Sequence, residues 1–177
     1  PRRPGDDEAI DLITEIVGIY SPSTQEAAAV DALVERMRGL GYEAEVDAAG
    51  SAVGRIGSGD KHLLLLGHID TVPGEIAVRR EGRDLFGRGS VDAKGPLAAF
   101  ACAASRVAPR PGTRLVVVGA VEVEAATSKG ARYLLGRLQP DAVIVGEPSG
   151  WDRITVGYKG RLLVDYTHSR EIGHTAG

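Results

Sequence analysis

The stretch Leu63-Leu64-Leu65-Leu66-Gly67-His68-Ile69-Asp70-Thr71-Val72-Pro73 decides the fold class. Four apolar residues in a row suit a strand covered on both faces, as in the middle of an α/β sheet. The run stops at a glycine and delivers a histidine and a carboxylate. Strand residues alternate sides, so His68 and Asp70 point the same way. A metal-ligating histidine usually hands its second ring nitrogen to a carboxylate, which fixes its tautomer and orientation. In open α/β folds, ligand sites lie beyond the carboxyl ends of the strands, where this pair falls. Taken alone, the pair reads equally well as a strand end whose polar residues meet water.

Composition narrows the classes. The chain has 177 residues, 43% apolar and 25% charged, which is ordinary for a globular protein with one good core. A net charge of -3 supplies no basic field, so nucleic acid is not expected as a partner. No apolar run is long enough for a membrane span, and the first residues lack a signal-peptide pattern. The single cysteine, Cys102, lies in an Ala-rich apolar stretch and reads as a small buried hydrophobe. A lone cysteine also fits a cytoplasmic location.

Outward from the Leu63 strand, helical and strand-like segments alternate. Asp6 or Asp7 can cap a helix with the stripe Ile10, Ile13, Ile16 and Val17, broken by Ser21-Pro22-Ser23-Thr24. A second helix buries Val30, Leu33, Val34 and Met37 and closes at Gly39 and Gly41. Strands are expected near residues 42–46 and 52–56, a surface hairpin at 79–84, and a helix over about 96–107. A buried strand follows at 114–121, a helix from Thr127 or Ser128 to Leu138, and a short strand at 142–145. This alternation predicts an α/β fold with a mixed, largely parallel sheet. Residues 154–158 and 161–167 look like two strands of a new sheet, and the sequence stops at Gly177 with no closing helix.

Each buried strand delivers acid at its carboxyl end: His68 with Asp70, then Glu122 and Glu124, then Glu147. Between them lies Gly87-Arg88-Gly89-Ser90-Val91-Asp92-Ala93-Lys94-Gly95-Pro96, a glycine-rich turn centred on an aspartate. It has neither the Walker spacing nor the dinucleotide fingerprint, so phosphate cradling is disfavoured. Like charges gathered in one cleft repel unless a cation sits among them. One histidine with several carboxylates suits zinc, manganese or cobalt.

Five motifs in order now point one way: Gly67 to Pro73, Gly87 to Gly95, the Glu122 region, Gly146-Glu147-Pro148-Ser149 and Tyr158-Lys159-Gly160. Together they resemble the two-zinc amidohydrolase family of acetylornithine deacetylase, succinyl-diaminopimelate desuccinylase and glutamate carboxypeptidase. Within it the likeness is greatest to hydrolases that release lysine from an amino-group carrier protein. The resemblance implies a three-layer zinc-peptidase-like catalytic domain over residues 1–155 and the start of an α+β lid domain over residues 156–177. It implies two Zn2+ ions, replaceable by Co2+, with His68 and Glu147 on one metal, Asp92 bridging both, and Asp70 orienting His68. Glu122 falls at the general base, and His174 resembles a lid histidine that reaches the partner subunit's site in dimers. The peptide after Asp92 is often cis in the family, so a cis Asp92–Ala93 bond is expected.

Two departures stand out. The family keeps adjacent glutamates, base then ligand, whereas this chain reads Glu122-Val123-Glu124, with Val123 at the expected ligand position. Glu124 can replace that ligand only if the backbone bulges or bends. The family also continues past its lid to supply a last histidine ligand, so the chain looks like the N-terminal half of an enzyme, inactive alone. The implied activity is metal-dependent hydrolysis of an amide that frees lysine or ornithine in lysine or arginine biosynthesis. The substrate would be an acidic amino-group carrier protein. An N-acyl amino-acid deacylase and a non-catalytic binding fragment are the alternatives. Arg79, Arg80, Arg83 and Arg88 form a local basic cluster that an acidic carrier would suit, or an ordinary solvated hairpin.

Overall fold

The computed structural model describes residues 3–150, 152–157, 159–160, 162 and 164–170. Its centre is a five-stranded mixed sheet built from β1 (Glu43–Val46), β2 (Ala52–Gly57), β3 (Lys61–His68), β6 (Thr113–Ala120) and β7 (Ala142–Val145), in the order β1-β2-β6-β3-β7. The Leu63 to Leu66 run lies in β3, flanked by β6 and β7, and both pairings are parallel. β1 and β2 extend the sheet antiparallel along the β6 edge, so the parallel part is confined to β6, β3 and β7. β4 (Arg79–Glu81) and β5 (Asp84–Phe86) form the separate surface hairpin expected from the sequence.

Alternation along the strands sends apolar side chains to both faces, which is why helices pack on each. One face, with Ala52, Ile56, Leu65, Leu115 and Val117, packs against Leu12, Ile16, Val30, Leu33, Met37, Leu97 and Ala101. Those residues come from α1 (Asp6–Gly18), α2 (Ala27–Gly39) and α3 (Lys94–Arg106). The other face, with Val53, Leu64, Val116 and Val118, is met by Leu134 of α4 (Lys129–Leu134) and by Leu138. That cover is thin: Val143, Ile144 and Val145 of β7 are 47%, 50% and 55% exposed.

Several details differ from the sequence reading. The α1 stripe is Leu12, Ile16 and Val17, with Ile13 only half-buried; the N-cap is Gly5, and Asp6, Asp7 and Glu8 occupy the first turn, where the helix dipole favours acid. α4 stops at Leu134 instead of Leu138, because Leu135 is extended (φ -60°, ψ 126°) and Gly136 is left-handed (φ 76°). No strand forms among the described residues of 152–170, where Ile154 and Val156 are 91% and 99% exposed. Two strands without a third strand or a helix to pack on are marginal in water. The chain division at 155/156 therefore remains an expectation.

Lys94 is a buried ammonium, 1% exposed, at the start of α3. It donates to Ile16 O at 2.8 Å and Ile19 O at 2.7 Å, satisfying carbonyls that the end of α1 leaves without helical partners. Burial lowers its pKa to about 8.

Candidate metal centre

Parallel pairing decides where the chemistry gathers. β3, β6 and β7 all run the same way, so the residues after each strand emerge at one edge of the sheet. His68 ends β3 and is 2% exposed. Its Nδ1 lies 2.9 Å from the backbone oxygen of Asp70 and 3.4 Å from the Asp70 carboxylate. Its Nε2 lies 3.1 Å from Asp92 Oδ1 and 3.7 Å from Glu147 Oε1. Both ring nitrogens therefore face acceptors. Burial alone would lower the imidazole's pKa, but hydrogen bonds to Asp70 and Glu147 outweigh it and hold it at about 11.

Asp70 is fully buried. Burial raises a carboxyl's pKa, yet Asp70 is held below the usual range by its bonds with His68, Ser23, Glu124 and Val123. Ser23 Oγ donates to Oδ2 at 2.7 Å, the Glu124 amide to Oδ2 at 2.9 Å, and the Val123 amide to Oδ1 at 3.0 Å. Asp92 sits on the glycine-rich loop, 54% exposed, and the Asp92–Ala93 peptide is cis as expected. Gly95, in the first turn of α3, packs against the same loop: a Cβ there would lie 2.2 Å from Ser90 O.

At the end of β6 the backbone makes the bend that Glu124 requires to reach the cluster. β6 stops at Ala120, and Glu122 has φ 55°, so the chain turns where strand alternation would otherwise continue. The Glu122 carboxylate accepts from Thr127 Oγ1 at 2.8 Å and lies 3.5 Å from Lys129 Nζ. Glu124 instead joins His68 and Asp92, the donor atoms of all three lying within 4.8 Å of one another. Burial first, then the negative charge of Asp92, raises the Glu124 carboxyl pKa. The bend thus brings the later glutamate to the cluster. The residue just before it is Val123, at the position where the resemblance keeps a metal ligand. His174 lies outside the described residues. Of the residues singled out from sequence, His68, Asp70, Asp92, Glu124 and Glu147 are brought together; Glu122 is engaged elsewhere. His68, Asp92 and Glu124 present one nitrogen and two oxygens within 4.8 Å of one another, a donor set that fits a divalent cation.

The model of the Peptidase family M20/M25/M40 matches residues 64–173, most of the chain. The chain belongs to that family. As a member of the M20/M25/M40 peptidases it has relatives named for one kind of substrate. It is 49% identical over 172 residues to the [LysW]-lysine hydrolase of Deinococcus radiodurans, covering 96% of this chain and 48% of that protein. It is 38% identical over 156 residues to the [LysW]-lysine/[LysW]-ornithine hydrolase of Sulfurisphaera tokodaii, covering 88% and 43%. The chain thus spans about half the length of the curated relatives it matches. Solved structures share the fold: a Staphylococcus aureus tripeptidase (TM-score 0.65, 22% identity, 84% of this chain and 45% of that one) and the aminopeptidase PepT of Bacillus cereus (0.66, 17%, 84% and 45%). Among the described residues, no helix is long and apolar enough to cross a membrane.

Proposed function

We propose that this chain belongs to a metal-dependent hydrolase that cleaves an amide bond to free lysine or ornithine from a LysW-type amino-group carrier protein. The observation that carries the hydrolytic reading is the convergence of His68, Asp92 and Glu124 within 4.8 Å at the carboxyl edge of parallel strands. His68, Asp92, Glu124 and Glu147 would hold the metal, with two Zn2+ ions as the expected load and Co2+ as a substitute. A bound divalent cation supplies Lewis acidity toward the amide carbonyl. The chain's own part is geometric and protonic. Asp70 locks the His68 ring through Nδ1, and Asp92 and Glu147 bracket its Nε2. The proton that water loses on attacking the carbonyl must reach the leaving amine through a nearby acceptor. Glu122, expected in that role, would have to leave Thr127 and Lys129 to fill it. The names of the relatives support the carrier-protein substrate. The further parts of the reading are an acidic carrier, a homodimer through residues 156–177, His174 acting at the partner's site, and a cytoplasmic location in lysine or arginine biosynthesis.

One observation favours a second reading, a site that holds metal without turnover: Val123 offers no acceptor beside Glu124, and Glu122 is engaged elsewhere. Calorimetric titration with Zn2+, paired with hydrolysis of an amide-linked lysine substrate, separates the two. Glu124→Gln should lower metal content and Glu122→Gln should not. If turnover is absent in the full-length parent protein but appears in its Val123→Glu variant, the second reading stands. Metal loss in Glu122→Gln, with Glu124→Gln unchanged, would reverse the assignment of the two glutamates.

A further inference from the structure

The segment between α1 and α2 reads in sequence only as a helix break, yet it is clamped to the metal centre. Pro22 pairs with Thr71 in an isolated parallel bridge. Thr71 N donates to Ser21 O at 3.0 Å, and Ser23 N to Thr71 O at 3.3 Å. Ser21 Oγ donates to Ile69 O at 2.8 Å. These bonds run along Ile69 to Thr71 and seat Ser23 Oγ 2.7 Å from Asp70 Oδ2. Three residues further on stands Glu26, a carboxylate only 6% exposed at the N-terminus of α2.

A single oxygen of Glu26 accepts two backbone amides, Thr24 N at 2.8 Å and Glu122 N at 3.0 Å. Both donors belong to non-glycine residues with left-handed backbone, Thr24 at φ 76° and Glu122 at φ 55°. Such conformations are uncommon outside glycine and persist where the surroundings hold them. Here one carboxylate oxygen holds two of them. The Glu122 bend carries Val123 and Glu124, whose amides donate to Asp70, and the Glu124 carboxylate joins His68 and Asp92.

We infer that Ser23 and Glu26 are positioning residues of the metal centre. Ser23 fixes the Asp70 carboxylate behind His68, and Glu26 holds the Glu122 bend that presents Glu124. Neither touches the cluster's donor atoms: Ser23 acts through Asp70 behind His68, and Glu26 through the Glu122 bend that carries Glu124. Groups that orient metal ligands typically change metal affinity by about 10–100-fold when removed. This inference rests on the metal-dependent reading above.

The test is a Co2+ titration of the chain against a chromophoric chelator, with the visible absorption of bound Co2+ as the second readout and far-UV circular dichroism to confirm folding. Ser23→Ala and Glu26→Ala should each weaken Co2+ binding about 10-fold or more and alter the Co2+ band. Ser23→Thr keeps a hydroxyl, and Glu26→Gln keeps an oxygen able to accept both amides; both should bind within about threefold of the parent. A role confined to folding would lower stability and leave the Co2+ band of the folded protein unchanged. Folded Ser23→Ala and Glu26→Ala proteins with parental affinity and band would overturn the inference. If Glu26→Ala does not fold, the Ser23→Ala and Ser23→Thr pair decides. If the parent itself binds no Co2+, the metal-dependent reading fails first, and the inference with it.

Discussion

Asp70→Asn changes one atom type at a fully buried site and should cost far more than its size suggests. The carboxylate accepts from Val123 N–H on Oδ1 and from Glu124 N–H and Ser23 O–H on Oδ2, and Oδ1 also lies 3.4 Å from His68 Nδ1. The serine hydroxyl can turn round and accept, but the two amides cannot. Whichever way the carboxamide is placed, its NH2 meets a backbone N–H, so one buried amide loses its acceptor. Losing a bond to a charged acceptor costs about 1.5–3 kcal/mol, and an unpaired buried donor about 1–3 kcal/mol; the two overlap. The variant should be about 2–4 kcal/mol less stable by urea unfolding at pH 7 with chelator present. The pH course is fixed by direction. Asp70's carboxyl lies below its ordinary value in the folded chain, so its contribution is complete above the unfolded aspartate pKa, about 3.9. It is lost as pH falls through the lower, folded value. The gap between parent and Asp70→Asn should therefore hold from pH 8 to about 5 and narrow only below about 4. A variant within about 0.5 kcal/mol of the parent at pH 7, or a gap that widens on acidification, would refute the reasoning.

Two other perturbations test neighbouring parts of the site. With the His68 pKa held at about 11, metal must displace a proton from that ring. Calorimetry in buffers of different ionisation enthalpy should find about one proton released per His68 engaged at pH 7, and affinity rising with pH; no release would mean the ring is neutral beforehand. Gly95→Ala places a methyl 2.2 Å from Ser90 O, so it should destabilise by about 1–3 kcal/mol despite alanine's better helix propensity, and weaken metal binding through the Asp92 loop. An equal or higher urea midpoint would show that the loop gives way freely.

Much of the framework was legible because it rests on local pattern. The apolar Leu63 run reads as a strand covered on both faces, and its neighbours at 114–121 and 142–145 are equally apolar, although β7 stays exposed. His68, Asp70, Asp92 and Glu147 were legible because each directly follows a strand or sits in a glycine-rich turn. The Glu122 to Glu124 stretch was not, since period-two reasoning applies only while the chain is a strand, and β6 ends at Ala120. Nothing in a glutamate's identity announces φ 55°. Ser23 and Glu26 were missed for another reason: their partners lie 47 and 96 positions away, so no window on the sequence contains both ends of either bond. The one available signal was a Pro-Ser-Thr turn with a glutamate two residues after it, which also describes any helix start. The tail strands beyond 153 had alternating character but no sheet to join among the described residues.

The Lys94 ammonium has a use beyond tying α1 to α3. Acylating reagents attack free amines, and this one is shielded and doubly bonded while Lys61, Lys129 and Lys159 lie exposed on the surface. Timed labelling followed by peptide mapping would therefore mark the surface lysines at once and Lys94 only when α1 lifts from α3. The ratio of the two rates is a clock for that opening event, read from the unmodified protein without any introduced probe.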